Sequence, residues 1–126
     1  MDEQRVVLFE VCPTPQGRER YLELAAALRP LLEDFDGLVR MERFASLNQE
    51  GKLLSMNVWR DEASLERWRK AAEHRLCQQE GREQLFESYR ITVCAPVRSY
   101  TDRLRDQAPA DSQAALDGPK TQEAKS

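Results

Sequence analysis

Several side chains suited to proton transfer or to aromatic binding lie in the middle of the chain. Ser55, Asn57 and Trp59 alternate with apolar residues, so they share one face of a predicted strand. His74 is the only histidine, and imidazole is the side chain that exchanges protons most readily near neutral pH. We therefore predict that His74 is a general base. A surface or helix-capping histidine is the alternative.

Trp59 and Trp68 carry large flat faces that suit stacking on a flat aromatic substrate. The alternative for both is packing in the core. Trp68 lies on the same predicted helix face as Leu65 and Ala72, which favours the core for this residue.

Polar side chains near these aromatic residues are candidates for binding substrate oxygens. Asn57 and Ser55 need hydrogen-bond partners if buried, and a substrate oxygen, a backbone group or a water serves equally. Arg43, Arg82 and Tyr89 are potential donors to an anionic enolate or phenolate, unless they are simply solvated. We predict the catalytic residues as His74, Asn57 and Trp59, and the substrate-binding residues as Ser55, Trp68, Arg43, Arg82 and Tyr89.

Elements that position these residues follow from hydrophobic periodicity. Residues 5–12 are β-branched and aromatic and predict a strand, followed by a long helix that starts at Thr14-Pro15 and ends before Gly37. Residues 38–46 and 52–60 predict a hairpin. Asp61 is placed to cap a second helix, a short third helix is predicted over 74–79, and residues 89–100 predict a last strand.

The resulting order, β-α-β-β-α-(α)-β, predicts an α+β fold of the ferredoxin-like split βαβ type with an antiparallel sheet. Both faces of the predicted strands are apolar: Leu54, Met56 and Val58 lie opposite the face that carries Trp59. Helices cover only one face of such a sheet. We therefore expect a homodimer that packs sheet face against sheet face.

The chain has 126 residues, of which 40% are hydrophobic and 33% charged, which fits one domain. From Thr101 onward Leu104 and Leu116 are the only large apolar side chains. We predict a domain over residues 1–100 and a polar, disordered tail over residues 101–126.

Several functional classes are disfavoured. A net charge of −3 with interspersed signs disfavours nucleic acid as a partner. No apolar run approaches the roughly 20 residues that cross a bilayer, and no leader pattern is visible, so we expect a cytoplasmic protein. Cys12, Cys77 and Cys94 have neither metal-site nor disulfide spacing. No glycine-rich phosphate loop is visible. We predict neither metal nor cofactor.

Residues 37–44 (GLVRMERF) and 53–63 (LLSMNVWRDEA), followed by Trp68, His74-Arg75 and Gly81-Arg82, resemble the antibiotic biosynthesis monooxygenase (ABM) domain. The resemblance covers residues 5–100 and implies a dimeric α+β barrel with a substrate cavity between sheet and helices in each subunit. Members of assigned activity oxidise aromatic polyketides or quinols with dioxygen, without flavin, haem or metal. A related branch binds and degrades haem.

Individual positions differ from what each of these two branches of the family carries. The anthrone-oxidising branch carries an asparagine four residues before the tryptophan that matches Trp59. Ser55 stands there, with Asn57 two residues further on, and Leu65 replaces an expected tyrosine. In the haem-degrading branch an asparagine and an axial histidine are expected where this chain has Glu10 and Gln78, which disfavours haem binding.

The leading hypothesis is therefore a cofactor-independent monooxygenase acting on a small aromatic, polyketide-like or quinol substrate. The alternative is a non-catalytic dimer of the same fold that binds a small ligand or assists another enzyme.

Overall fold

The computed structural model describes residues 3–79 and 85–117, and all of their side chains except those of 73–79 and 114–117. Its elements are β1 (Arg5–Pro13), α1 (Arg18–Glu33), β2 (Leu38–Ala45), β3 (Leu53–Trp59), α2 (Glu62–Gln79), β4 (Phe86–Cys94) and α3 (Ala110–Asp117). Elements β1 to β4 with their two helices confirm the predicted β-α-β-β-α-β order. No helix in the described part of the chain is long and apolar enough to cross a membrane.

The four strands form one antiparallel sheet in the order β2-β3-β1-β4. Strands β1 and β3 lie at the centre, with β4 at the free edge beside β1 and β2 at the free edge beside β3. This is the ferredoxin-like split βαβ arrangement, so the predicted α+β class is confirmed. The dimeric barrel concerns a second copy of the chain and stays a prediction.

Strict alternation divides the sheet into two faces. Phe9 of β1 pairs with Ser55 of β3, and both point towards the helices, where Phe9 packs against the buried cluster of Val11, Tyr21 and Leu53. The intervening residues, such as Leu8 with its partner Met56, point to the opposite face. We call this second side the open face. It carries the partly buried Val6, Leu8, Leu54 and Met56 and the buried Val58.

Short polar turns connect the elements. After β1, the Thr14 hydroxyl oxygen accepts a hydrogen bond from the Gly17 backbone N–H at 2.8 Å. In the β2–β3 hairpin, the Ser46 hydroxyl accepts from the backbone N–H groups of Asn48 and Gln49 at 3.1 Å each. Gly51 closes that turn with a φ of 87°, a conformation that glycine adopts without steric strain.

Boundaries of three predicted elements differ in the structure. Helix α1 begins at Arg18 instead of Pro15, because Thr14 to Gly17 form a separate turn. Helix α2 runs without interruption to Gln79, so a separate third helix over 74–79 is wrong: nothing between Ala72 and Gln79 breaks a helix. Strand β4 starts at Phe86 and ends at Cys94, shortly before Pro96, which has no N–H for a strand ladder.

Residues 96–117 belong to a second compact unit, which begins at Pro96. The Thr101 hydroxyl accepts from the backbone N–H groups of Arg103 and Leu104, and the Arg105 guanidinium lies 5.2 Å from the Tyr100 ring centre. Helix α3 follows. The sequence pattern predicts no element here, and the predicted domain boundary at residue 100 stays a prediction.

Candidate functional site

A cavity of about 1170 Å³ lies between the helix-facing side of the sheet and helices α1 and α2. Its walls are mainly apolar, as is usual for sites that bind small organic molecules. Val7 and Phe9 line it from β1, Leu24 and Leu28 from α1, and Trp68 from α2. The sheet contributes several polar groups.

These polar groups follow from the strand register. Arg43 of β2 lies opposite Ser55 of β3, and Met41 lies opposite Asn57. All four residues line the cavity. Of the predicted site residues, the cavity therefore brings together Arg43, Ser55, Asn57, Trp68 and Tyr89.

Asn57 is the most unusual of these polar side chains. Its Nδ2 atom is buried and has no hydrogen-bond partner among the described residues. Leaving a buried donor unpaired costs about 1–3 kcal/mol, so such groups in proteins call for an explanation. Asn57 itself lines the cavity, so a turn of its amide group would bring this nitrogen to an oxygen atom of a bound molecule.

Three aromatic rings form a cluster near the start of α2. Phe35 makes edge contacts with Trp68 (ring centres 5.2 Å apart) and with Trp59 (6.0 Å), and the two tryptophan rings stack at 6.3 Å with an angle of 26°. Trp68 lines the cavity, whereas Trp59 is 0% exposed and lies outside the lining. Of these three rings, Trp68 is therefore the one that lies at the cavity.

Trp59 nevertheless resembles Asn57 in one respect. Its indole Nε1 is buried and has no partner within the described part of the chain. Trp59 is the next residue after Asn57 on the helix-facing side of β3. Two unpaired donors thus follow each other along one strand.

A second aromatic group lies at another part of the cavity wall. Phe86 contacts Tyr21 (ring centres 5.4 Å apart), Phe9 (6.0 Å) and Tyr89 (5.9 Å). Tyr89 is 61% exposed. Its predicted substrate contact therefore falls on the rim of the cavity, where it is open to solvent.

Tyr21 and Arg43 form a polar pair that the sequence analysis misses. Tyr21 is 8% exposed and lines the cavity from α1. Burial raises the pKa of its phenol, and the positive charge of the nearby Arg43 guanidinium lowers it by less. The spacing of Tyr21 indicates only the apolar stripe of α1. Its hydroxyl, placed on an otherwise apolar stripe, is the one signal in the sequence that points to this pair.

Two predicted site residues lie outside what the structure describes. His74 belongs to α2, but its side chain is not among the described ones, and Arg82 falls within 80–84. Their roles stay predictions. Among the described residues, no group of three His, Cys, Asp or Glu side chains is arranged to hold a metal ion.

Comparisons with known proteins agree on one family and one fold. The model of the family named antibiotic biosynthesis monooxygenase matches residues 5–80. A jasmonate monooxygenase from Pyricularia oryzae is 43% identical over 96 residues, which are 74% of this chain. Those residues are 45% of the fungal protein, so the chain spans less than half the length of this relative.

Two solved structures show the same fold at low sequence identity. Rv0793 from Mycobacterium tuberculosis matches with a TM-score of 0.67 and 22% identity, covering 78% of this chain and 99% of that protein. SnoaB from Streptomyces nogalater, described as a cofactor-independent oxygenase, matches with a TM-score of 0.60 and 10% identity, covering 77% and 96%.

Proposed function

Because the chain belongs to the antibiotic biosynthesis monooxygenase family, we propose that it is a monooxygenase that oxidises a small organic molecule with dioxygen, without a bound cofactor. The observation that carries this proposal is the buried amide nitrogen of Asn57 at an apolar cavity, which has no hydrogen-bond partner among the described residues. A donor positioned in advance stabilises negative charge on a substrate oxygen. Such charge develops when a proton leaves a phenol or a carbon next to a carbonyl group.

The proposed reaction needs no external reductant, because the substrate supplies all electrons. A base removes a proton from an activated CH₂ group, and the resulting anion combines with dioxygen to form a C–O bond. The peroxide takes up the proton to become a hydroperoxide, and loss of water leaves a carbonyl group. The balance is R₂CH₂ + O₂ → R₂C=O + H₂O, in which the carbon loses four electrons and the two oxygen atoms gain them.

The chain provides groups to stabilise the anion, to hold the substrate and to remove the proton. Asn57 would donate to the substrate oxygen that carries the negative charge, and Ser55 would add a second hydrogen bond from the same strand face. The face of Trp68 would hold the plane of the substrate. His74 is the candidate base, because it belongs to the same helix as Trp68. Trp59 would act through Trp68, on which it stacks.

Two kinds of substrate fit this chemistry. Aromatic polyketides and quinols, which the family resemblance implies, form stabilised anions on loss of a proton. A quinol provides the CH₂ group of the reaction in its keto tautomer. Jasmonate, after which the Pyricularia oryzae relative is named, is a ketone and has acidic C–H groups next to its carbonyl. Both kinds carry an oxygen that becomes anionic when the proton leaves. We propose this property, rather than one ring system, as the requirement of the site.

The proposed active form is a cytoplasmic homodimer that packs through the open face. Leu8, Leu54 and Met56 give this face an apolar centre, and Phe44 on the neighbouring strand is 40% exposed. Burial of such a face against a second copy would remove apolar surface from water. Cys12 and Cys94 are free thiols, in keeping with a reducing compartment.

Oxygen uptake tests the proposed activity. Metal-stripped protein is mixed with anthrones, hydroquinones, catechols and jasmonate, and each rate is corrected for autoxidation. Enzyme-dependent uptake that falls in an Asn57→Leu variant supports the proposal. Tight binding of these compounds without any uptake would favour the non-catalytic ligand-binding protein instead.

A further inference from the structure

The charged groups at the cavity differ in whether they already have an ionic partner. Arg29 pairs with Glu33 at 2.9 Å, and Arg69 pairs with Glu66 at 2.7 Å, both along their own helices. Arg43 also lines the cavity, yet no carboxylate lies within ion-pair distance of it among the side chains that the structure describes. Of these three arginines, Arg43 is therefore the one whose guanidinium can bind an anion.

Arg43 and Tyr21 both line the cavity, and the guanidinium is near enough to the phenol to lower its pKa. The phenol O–H and the guanidinium N–H groups are all potential hydrogen-bond donors. Tyr21 is almost fully buried in a cluster with Val11 and Leu53, so it holds this end of the pair in place. Arg43 itself is exposed, whereas the buried Tyr21 supplies a second donor that is already held in place. Less side-chain freedom is therefore lost when a carboxylate binds to this pair than when it binds to two exposed donors.

The pair lies at a defined distance from the proposed reaction centre. Arg43 is opposite Ser55 on the sheet, and Asn57 is the next residue of β3 on the same side. Such diagonal neighbours are about 7–8 Å apart. The same molecule can therefore contact both Arg43 and Asn57 with groups several bonds apart.

We propose that Arg43 and Tyr21 form a carboxylate-binding site at one end of the cavity, so that the substrate is an organic acid whose acid group is separate from the carbon that reacts with dioxygen. This inference rests on the proposed use of the cavity as the substrate site. The body of the acid would lie against the apolar wall near Phe9, and its reacting end would lie at Asn57. A neutral quinol would leave the Arg43 site unused.

Binding of two matched probes tests this site without any turnover. The probes are 1-naphthylacetate and 1-naphthylacetamide, which have the same apolar ring and nearly the same shape but differ in charge. Calorimetric titration of the unmodified protein should show that the carboxylate binds about 10- to 100-fold more tightly than the amide, as expected for hydrogen bonds to a charged group. Arg43→Gln should reduce this ratio to about 3-fold or less, and Tyr21→Phe should lower it by a smaller factor.

Arg40→Gln provides the matched control. Arg40 lies on the same strand but on the open face, opposite Val58, so the variant loses the same charge without touching the cavity. It should keep the ratio of the unmodified protein. Equal affinity for both probes, binding of neither probe, or a ratio that survives in Arg43→Gln would overturn the proposal.

The outcome is separable from that of the proposed activity. A protein that distinguishes the two probes but consumes no oxygen with any acid would have the carboxylate site and lack the reaction. A protein that consumes oxygen with quinols but does not distinguish the probes would have the reaction and lack the site. Thermal unfolding of each variant verifies that it is folded before binding is measured.

Discussion

Replacing Asn57 by leucine tests whether this amide serves the reaction or the stability of the fold. The Nδ2 atom of Asn57 is buried and unpaired among the described residues. In a side chain kept only for packing, such an atom is a net loss, because water would bond to it in the unfolded chain. Leucine has a similar size and no polar atoms, so Asn57→Leu should relieve this loss.

The expected changes in stability and in turnover follow from the cost of an unsatisfied buried donor and from the loss of a donor to the oxyanion. An unsatisfied buried donor costs about 1–3 kcal/mol, so Asn57→Leu should raise the free energy of unfolding by about 1 kcal/mol after allowance for imperfect packing. In a domain of this size that corresponds to an increase in Tm of roughly 2–8 °C. Loss of one donor to a developing oxyanion lowers turnover by about 10²- to 10³-fold. The variant should therefore be more stable and much less active.

Urea unfolding and oxygen uptake measure the two effects on the same preparations. Ser55→Ala is the control for stability, because it removes a polar group from the same strand face without a buried unpaired atom at that position. Its unfolding free energy should change by less than about 0.5 kcal/mol. If Asn57→Leu unfolds at lower urea than the unmodified protein and keeps its turnover, the amide has a structural partner and the reasoning is refuted.

Other predictions concern the fold that supports the site. Gly37→Ala should lower the free energy of unfolding by about 2 kcal/mol or more, measured in urea, because Gly37 has a φ of 99° and an added Cβ would collide with the Ser64 side chain. The pKa of Asp61 is lowered chiefly by hydrogen bonds from Ser64, the first of them from the Ser64 backbone N–H at 2.8 Å. The ionised Asp61 carboxylate therefore stabilises the fold above the usual carboxyl pKa, and this stabilisation is lost as the pH falls through the lowered pKa. Asp61→Asn keeps a capping oxygen without a titrating group, and its Tm should fall less between pH 5 and about pH 3; an equal fall would contradict this assignment. Leu54→Arg places a charge on the open face and should convert a sheet-packed dimer to a monomer in sedimentation; a dimer that persists would argue against this interface.

Most of the fold could be predicted from the sequence because alternation and helical spacing act over short segments. The pattern of residues 53–59 alone assigns Ser55 and Asn57 to one face and Met56 to the other, and the register confirms it. Element ends are less predictable, since they depend on weak local preferences. The continuous α2 is an example: no proline or glycine marks residue 74, and the chain stays helical to Gln79.

The residues of the candidate site also differ in how well the sequence predicts their positions. Ser55, Asn57 and Trp68 could be placed at the cavity because each follows from the period of its own element. Contacts between distant elements could not be predicted in this way. The Tyr21–Arg43 pair joins α1 to β2, and the enclosure of Trp59 depends on how Phe35 and Trp68 pack over it. No short window of sequence contains that information.

Polar groups at this site lie on the most rigid part of the fold. β3 is a central strand, hydrogen-bonded to neighbours on both sides, so the backbone of Ser55 and Asn57 is held in place. The helices cover this face only in part, and the cavity lies above the same two residues. A donor on such a strand that lacks a partner among the described residues costs stability in the empty protein and returns it when an oxygen atom binds. The unpaired amide of Asn57 is therefore best understood as a binding group, and the gain in stability expected for Asn57→Leu is the direct measure of that cost.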